Sequence, residues 1–197
     1  MDAVIIDSGG ANLASLQFAF ERLGARTLVT ADVAAIRAAP RVILPGVGAA
    51  ANAMERLRNS GVAAVLPTLK QPVLGICLGM QLLFQHSEEG TTDCLGIIPE
   101  TVRCLRPAPG LPVPHMGWNQ LAALREDPLL AGIQAGEYVY FVHGYAAAVS
   151  PLTLATTDYG TAVSAVVRKA NFWGTQFHPE RSAGTGARVL ANFLRLE

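Results

Sequence analysis

Charge is scarce in this chain. Asp, Glu, Lys and Arg make up 15% of its 197 residues, fifteen basic against fifteen acidic, and neither sign forms a long run. A net charge of zero without patches argues against nucleic acid or an anionic membrane surface as partner. No apolar stretch approaches the roughly 18 residues that cross a bilayer. The opening MDAVIIDSGG has an acid at position 2 and no basic segment, so no signal peptide is expected. Cysteine is sparse too. Cys77, Cys94 and Cys104 are an odd number without CxxC spacing, which argues against a disulfide framework and against a zinc site. These absences together predict a reduced, cytoplasmic protein.

Apolar residues, by contrast, are plentiful at 51%, enough for a core with layers on both faces of a sheet. The length fits one compact domain spanning 1–197. In the first half, short apolar runs (AVIID, ARTLVT, RVILPG, PVLGIC) alternate with stretches of helical spacing (NLASLQFAFERLG, AANAMERLRNSG, LGMQLLFQHS). Gly24 and Gly61 are the expected helix stops. Continuous apolar strands alternating with helices predict an α/β fold with a mostly parallel central sheet covered by helices on both faces. After residue 90 Pro and Gly become frequent, and the runs LGIIPETVRCL, YVYFVHGY, LTLATT, AVSAVVRK and NFWGTQFH read as antiparallel or mixed extension strands. No linker composition separates them from the first half. AGTGARVLANFLRL closes the chain as a helix.

The segment GICLG places Cys77 between two glycines where a strand turns into a helix. A nucleophile at such an elbow projects from the carboxyl edge of the sheet. Glycines two residues to either side suit a place where strand and helix backbones crowd. The helix start favours a thiolate and offers N–H groups to an oxyanion. The competing reading, a small buried hydrophobe, stands for Cys94 and Cys104, which lie in β-like runs without such a frame. A second oxyanion donor is expected from the Gly-rich turn in RVILPGVGAA, where Gly46, Val47 and Gly48 bring backbone close to the nucleophile.

Four histidines compete for the role of base. His86 falls at the end of the elbow helix near solvent, and His115 in a Pro-rich loop, while His143 ends an aromatic run and is a credible pocket residue. His178 differs, because it ends NFWGTQFHPE. Pro179 forces extended geometry before it, and residues two apart then project to one side, roughly 7 Å apart at the backbone. Glu180 can reach the imidazole nitrogen turned away from the nucleophile, which is the logic of a nucleophile, base and orienter.

The segments DSGGANLAS, PGVG, GICLGMQ, PHMGWN, YFVHGY and QFHPERS together resemble the class I glutamine amidotransferases, end to end. GICLG and HPE carry the class. The N-terminal NLAS and PHMGWN resemble the subfamily of histidine biosynthesis, whose glutaminase subunits feed a cyclase. One departure is Gly144, where that subfamily is expected to have serine.

The resemblance implies Cys77 as nucleophile, His178 as general acid and base, Glu180 as orienter, and an oxyanion hole from the Leu78 N–H and the Gly46–Gly48 turn. It implies that Gln81 binds the amino-acid end of glutamine, with Glu89 opposite its ammonium, and that Gly144 and Tyr145 line the same pocket. An ordinary polar helix position competes for Gln81, and a solvated charge for Glu89. Glutamine would be hydrolysed through a glutamyl thioester, with no metal or organic cofactor.

A domain occupied by that hydrolysis has no room for an acceptor-binding synthase. A partner chain is therefore expected to receive the ammonia and to gate the reaction, by reshaping the PGVG turn. The resemblance makes it a (β/α)8-barrel cyclase in a heterodimer. Asn12, Trp118 and Arg181 flank the expected carboxyl edge and are the interface candidates, a core position competing for Trp118. Alternatives are another class I amidotransferase chain, a same-fold cysteine peptidase with His143 as base, a redox thiol protein, or a non-catalytic regulatory subunit.

Overall fold

The structure, a computed structural model, describes residues 1–9 and 13–197. Asn12 lies outside the described residues. The first half runs β1 Ala3–Ile6, α1 Leu13–Arg22, β2 Thr27–Thr30, α2 Val33–Ala38, β3 Val42–Gly46, α3 Ala50–Asn59, α4 Val62–Val65, β4 Val73–Cys77 and α5 Leu78–Leu82. The second half runs β5 Phe84–Ser87, β6 Thr92–Asp93, β7 Ile98–Cys104, β8 His115–Gln120, β9 Tyr138–His143, β10 Tyr145–Ala147, β11 Thr153–Asp158, β12 Ala162–Lys169, β13 Phe172–Thr175 and α6 Ala183–Phe193.

Among the described residues the central sheet has seven strands in the order β11-β12-β13-β4-β3-β1-β2. From β13 to β2 the pairs are parallel, whereas β12 runs antiparallel to both of its neighbours, β11 and β13. Side chains alternate across each strand, so Ile5, Ile43, Leu74 and Ile76 pack on one face with Leu16 and Phe20 of α1 and Val189, Leu190 and Phe193 of α6. Val4, Ile6, Val42, Leu44 and Val73 pack on the other with Ile36 of α2, Met54 and Leu57 of α3, and Val62 and Val65 of α4. Buried on both faces, these strands had to read as unbroken apolar runs. A mixed four-stranded sheet, β10-β7-β5-β6, and the two-stranded ribbon β8–β9 supply the extension strands.

Two expectations are corrected here. The helix over LGMQLLFQHS stops at Leu82, and Phe84–Ser87 is a strand paired with β7. Leu82, Leu83 and Phe84 are all fully buried; their apolar run continues as sheet because residues 98–102 offer a parallel partner. His86 therefore sits on β5, its Nδ1 3.1 Å from Asp93 Oδ1, and not on a helix. His115 is likewise not in a loop: it opens β8, in register with His143 on β9. The short α2, which the pattern did not reveal, starts at Asp32, whose carboxylate accepts from the Ala34 N–H at 3.0 Å.

Candidate active site

Three adjacent parallel strands end together. Gly46 of β3 is in register with Cys77 of β4, and β13 on the other side of β4 leads into His178. The G-x-C-x-G frame has a steric reason at both ends. A Cβ on Gly75 would lie 2.6 Å from the Gly79 carbonyl oxygen, and one on Gly79 would lie 1.8 Å from that of Leu44. No side chain fits at either position, so α5 can cross close above β3 and β4. Cys77 itself has φ 53° and ψ −111°, a conformation a non-glycine residue holds only where its surroundings over-determine it.

The Cys77 thiol is largely buried. It donates to the Val142 carbonyl oxygen at 3.6 Å and accepts from Gln176 Nε2 at 3.8 Å. It lines a cavity of about 290 Å3 together with Gly46, Val47, Gly48, Leu78 and His178. Gln81, Glu89, His143, Gly144 and Tyr145 complete most of the wall. A larger cavity, about 570 Å3 along residues 124–133, has no cysteine, serine or histidine in its lining, so size does not locate the chemistry.

His178 leaves the sheet extended and begins a short turn, Pro179–Arg181. Its Nδ1 is 2.8 Å from Glu180 Oε1, and that carboxylate side chain is buried. Its backbone is fastened as well. The His178 N–H donates to the Tyr140 carbonyl at 2.9 Å, and the Ser182 hydroxyl donates to the His178 carbonyl at 2.6 Å while accepting from the Tyr140 N–H at 2.9 Å. Burial alone disfavours the charged imidazole. Interaction first with Cys77 and then with Glu180 outweighs it and holds the His178 pKa above the usual histidine value.

Both ring nitrogens of His143 are engaged by other partners. Its Nδ1 is 2.8 Å from the Tyr145 carbonyl oxygen, and its Nε2 is 3.0 Å from His115 Nδ1. Burial pushes both His143 and His115 down to about 4, so both are neutral near pH 7. The Tyr145 carbonyl can only accept, so His143 carries its proton on Nδ1. Its Nε2 then accepts from His115, whose Nε2 accepts in turn from Asn119 Nδ2 at 3.3 Å. Burial similarly pushes the Cys94 thiol up to about 11, away from a reactive thiolate.

Gln81 is buried, and its Nε2 donates to the Tyr145 carbonyl at 2.8 Å and to Gln176 Oε1 at 3.0 Å. Glu89 is half-buried, and its Oε2 accepts from the Ala50 N–H at 2.8 Å, where α3 leaves the Gly46–Gly48 turn. It is therefore tied to the turn as well as to the cavity, which the competing reading of a solvated charge did not anticipate. Gly144 does not have a left-handed φ, and a Cβ there would meet only Val113 at 3.7 Å. Trp118 and Arg181 lie outside the cavity. Trp118 is 52% exposed, which removes the competing core reading. Its ring stands 5.9 Å from that of Tyr140 in an edge-on contact, and the Arg181 guanidinium lies 5.0 Å from the same ring. Sequence reasoning missed Gln176, Ser182 and the two carbonyls of Val142 and Tyr145. Of these only Gln176 carried a signal, standing two residues before His178 on the same strand exit.

Residues 4–196 match the family model for glutamine amidotransferase class-I. The chain belongs to this family. Amidotransferase relatives with curated names cover nearly all of it. One from Xanthomonas euvesicatoria pv. vesicatoria, named imidazole glycerol phosphate synthase subunit HisH, is 56% identical over 195 residues, 99% of this chain and 98% of that one. Another of the same name, from Xylella fastidiosa strain Temecula1, is 51% identical over 196 residues, 100% and 98% of the two chains. Among solved structures, a putative GMP synthase subunit from Thermoplasma acidophilum superposes with a TM-score of 0.73 at 19% identity, covering 98% of this chain and 91% of that one. A protein described as glutamine amidotransferase gives 0.75 at 16% identity, covering 97% and 96%. These structural likenesses carry the fold of an amidotransferase. The α/β class, with parallel sheet and extension strands, is that fold.

Proposed function

We propose that this chain is the glutaminase subunit of an imidazole glycerol phosphate synthase, working in histidine biosynthesis. The observation that carries the reading is the end-to-end identity of 56% with a relative of that name, in a chain whose Cys77 and His178 share one cavity wall. Residues 1–197 are read as one amidotransferase domain, supported by two core clusters that face each other across a single sheet.

The side-chain amide of glutamine enters the cavity. The Cys77 thiolate attacks its carbonyl carbon, and the oxygen that gains the electron pair is held by the N–H of Leu78 and of the Gly46–Val47–Gly48 turn. His178, oriented by Glu180, gives its proton to the nitrogen, and the C–N bond breaks to release ammonia and leave a γ-glutamyl thioester. His178 then takes a proton from water, which attacks the thioester and frees glutamate and the thiolate. Gln81, Glu89, Gly144 and Tyr145 bind the amino-acid end. No metal or organic cofactor enters any step.

Ammonia released into water would be protonated and diluted, so a subunit must stand ready to use it. The partner is the cyclase subunit of the same synthase, a (β/α)8 barrel docked at the carboxyl edge of the sheet in a heterodimer. One exposed face supports docking there. Met116, Trp118 and Tyr138 project from one side of the β8–β9 ribbon at 63%, 52% and 55% exposure, with Arg181 beside them; Asn12 is kept as a further candidate. Gating through the PGVG turn is supported by Glu89, which ties the far end of that turn to the cavity. No described helix is long and apolar enough to cross a membrane, in keeping with a cytoplasmic site of action.

The test is glutamate release from glutamine by the purified chain, alone and with the cyclase and its nucleotide ligand. Release that rises on adding both and vanishes in Cys77→Ala supports the reading. Equal release with and without the cyclase would remove the gating, and no release in either case would remove the glutaminase. His178→Asn against His143→Asn separates this base from the one a peptidase of the same fold would use.

A further inference from the structure

The reaction proposed above requires Cys77 as a thiolate, and His178 is only one of the groups that face its sulfur. Gln176 is fully buried. Its backbone N–H is fixed to the Ala165 carbonyl of β12 at 2.8 Å, and its side chain lies between Gln81 and Cys77. An amide side chain has a donor end and an acceptor end, and which end faces the sulfur decides what it does. Here the surroundings decide. The Tyr145 carbonyl only accepts, so the Gln81 atom 2.8 Å from it is the amide nitrogen. That same nitrogen, 3.0 Å from Gln176, must meet its oxygen. The other end of Gln176, 3.8 Å from Cys77 Sγ, is therefore its NH2. His143, which donates to the same Tyr145 carbonyl from its own side, fills that oxygen's second lone pair and fastens the reference point.

We infer that Gln176 is a second stabiliser of the Cys77 thiolate, its N–H aimed at Sγ by a directed chain of hydrogen bonds that starts at the Tyr145 carbonyl and passes through Gln81. The donor reaches the sulfur from behind, out of the side chain of a fully buried residue, while His178 reaches it from the cavity. Gln81 then has two duties: it lines the wall where glutamine binds, and it holds the acceptor end of Gln176 so that only the donor end can face the nucleophile. The inference rests on the glutaminase reading for its purpose, but the thiolate itself is measurable without substrate.

The experiment is the pH profile of Cys77 alkylation by iodoacetamide in the full chain, with modification at Cys77 read by peptide mass spectrometry. Gln176→Met keeps the volume, removes the N–H and adds no charge. A hydrogen bond to a charged group of ordinary strength corresponds to roughly one pKa unit, so the midpoint should rise by about one unit, leaving about tenfold less thiolate at a given pH below it. Gln81→Met leaves Gln176 in place but lets its amide turn, and should raise the midpoint by a smaller amount in the same direction; it decides the matter if Gln176→Met does not fold. The other titratable groups around the cavity (His178 with Glu180 behind it, His143, Tyr145 and Glu89) are unchanged in both variants. With glutamine, Gln176→Met should lower kcat about tenfold with KM within about twofold, and activity should recover as pH is raised, which a loosened fold would not do. Unshifted midpoints in folded Gln176→Met and Gln81→Met would overturn the inference. A shifted midpoint in a chain that never releases glutamate would leave it standing and remove the glutaminase reading instead.

Discussion

Cys77 holds a positive φ because its neighbours leave it no other course. The crossing of α5 over β3 brings the Gly79 Cα position against the Leu44 carbonyl, so close that an added Cβ would sit 1.8 Å from the oxygen. Backbone on both sides cannot yield as a flexible side chain would. Gly79→Ala should therefore cost more than about 3 kcal/mol, at or beyond the top of the usual overpacking range, and chemical denaturation should show it as a collapsed midpoint or no folded protein at all. Gly144 is the control within the same cavity. Its φ lies outside the left-handed region, and a Cβ there finds Val113 at ordinary contact distance. Gly144→Ala should leave the fold intact and gain about 0.4–1 kcal/mol by restricting the unfolded chain. Serine in its place should behave alike in stability. A marked loss of stability in Gly144→Ala would show that the open space there is not available to a side chain.

At the scale of elements, β9 organises more of the site than any strand of the central sheet except β4. Its Tyr140 carbonyl holds the His178 N–H, its Val142 carbonyl accepts from Cys77, and its outer face carries Tyr138 and Tyr140 toward the proposed partner. Ser182 completes the attachment, fully buried and bonded to both Tyr140 and His178. Ser182→Ala should cost about 1–3 kcal/mol, since it strands a buried N–H, and should lower kcat as the His178 backbone loosens, with KM little changed. An unchanged kcat in a destabilised variant would confine Ser182 to the fold.

None of this was legible in the sequence, and the reason is distance along the chain. GICLG and HPE speak for themselves because a strand-to-helix turn, and a histidine with an acid two residues on, are local geometry. The bonds that join Gln176 to Cys77 and Gln81 to Tyr145 span 99 and 64 residues, and no local pattern foretells them. The parallel core was legible because strands buried on both faces must be apolar throughout. The same rule misled at Leu82, Leu83 and Phe84, where one buried run passes from helix into strand. At β8 the Pro- and Gly-rich approach hid an alternation of inward His115, Gly117 and Asn119 with outward Met116, Trp118 and Gln120.

Across the whole molecule, the ionisable groups at the carboxyl edge fall into two sets that respond to pH in opposite senses. His178 is held above its ordinary value, so its contribution to stability is complete below the unfolded value near 6.5 and is lost as pH rises toward its folded value. His115 and His143 are held neutral at about 4. Their contribution is complete above about 6.5, and it is lost as pH falls toward 4, because the unfolded chain then takes protons that the folded one refuses. Each such imidazole can contribute up to about 1.4 kcal/mol per pH unit within that interval. Below about pH 5.5 His178 is protonated in both states and adds no slope. The depressed carboxyls of Glu137 and Asp2 add to the loss in the lower part of that window, as pH nears the ordinary carboxylate values. The pair should thus dominate the acid side of the stability curve. Denaturant unfolding of the full chain at a series of pH values should show stability falling across that window. A variant carrying His115→Gln and His143→Gln should start lower, having lost the chain of bonds from Asn119 to Tyr145, but its curve should be flatter. A parent chain no steeper than this variant would mean that the two imidazoles take up protons without opening the fold, and that the neutral pair beneath the ribbon does not anchor it.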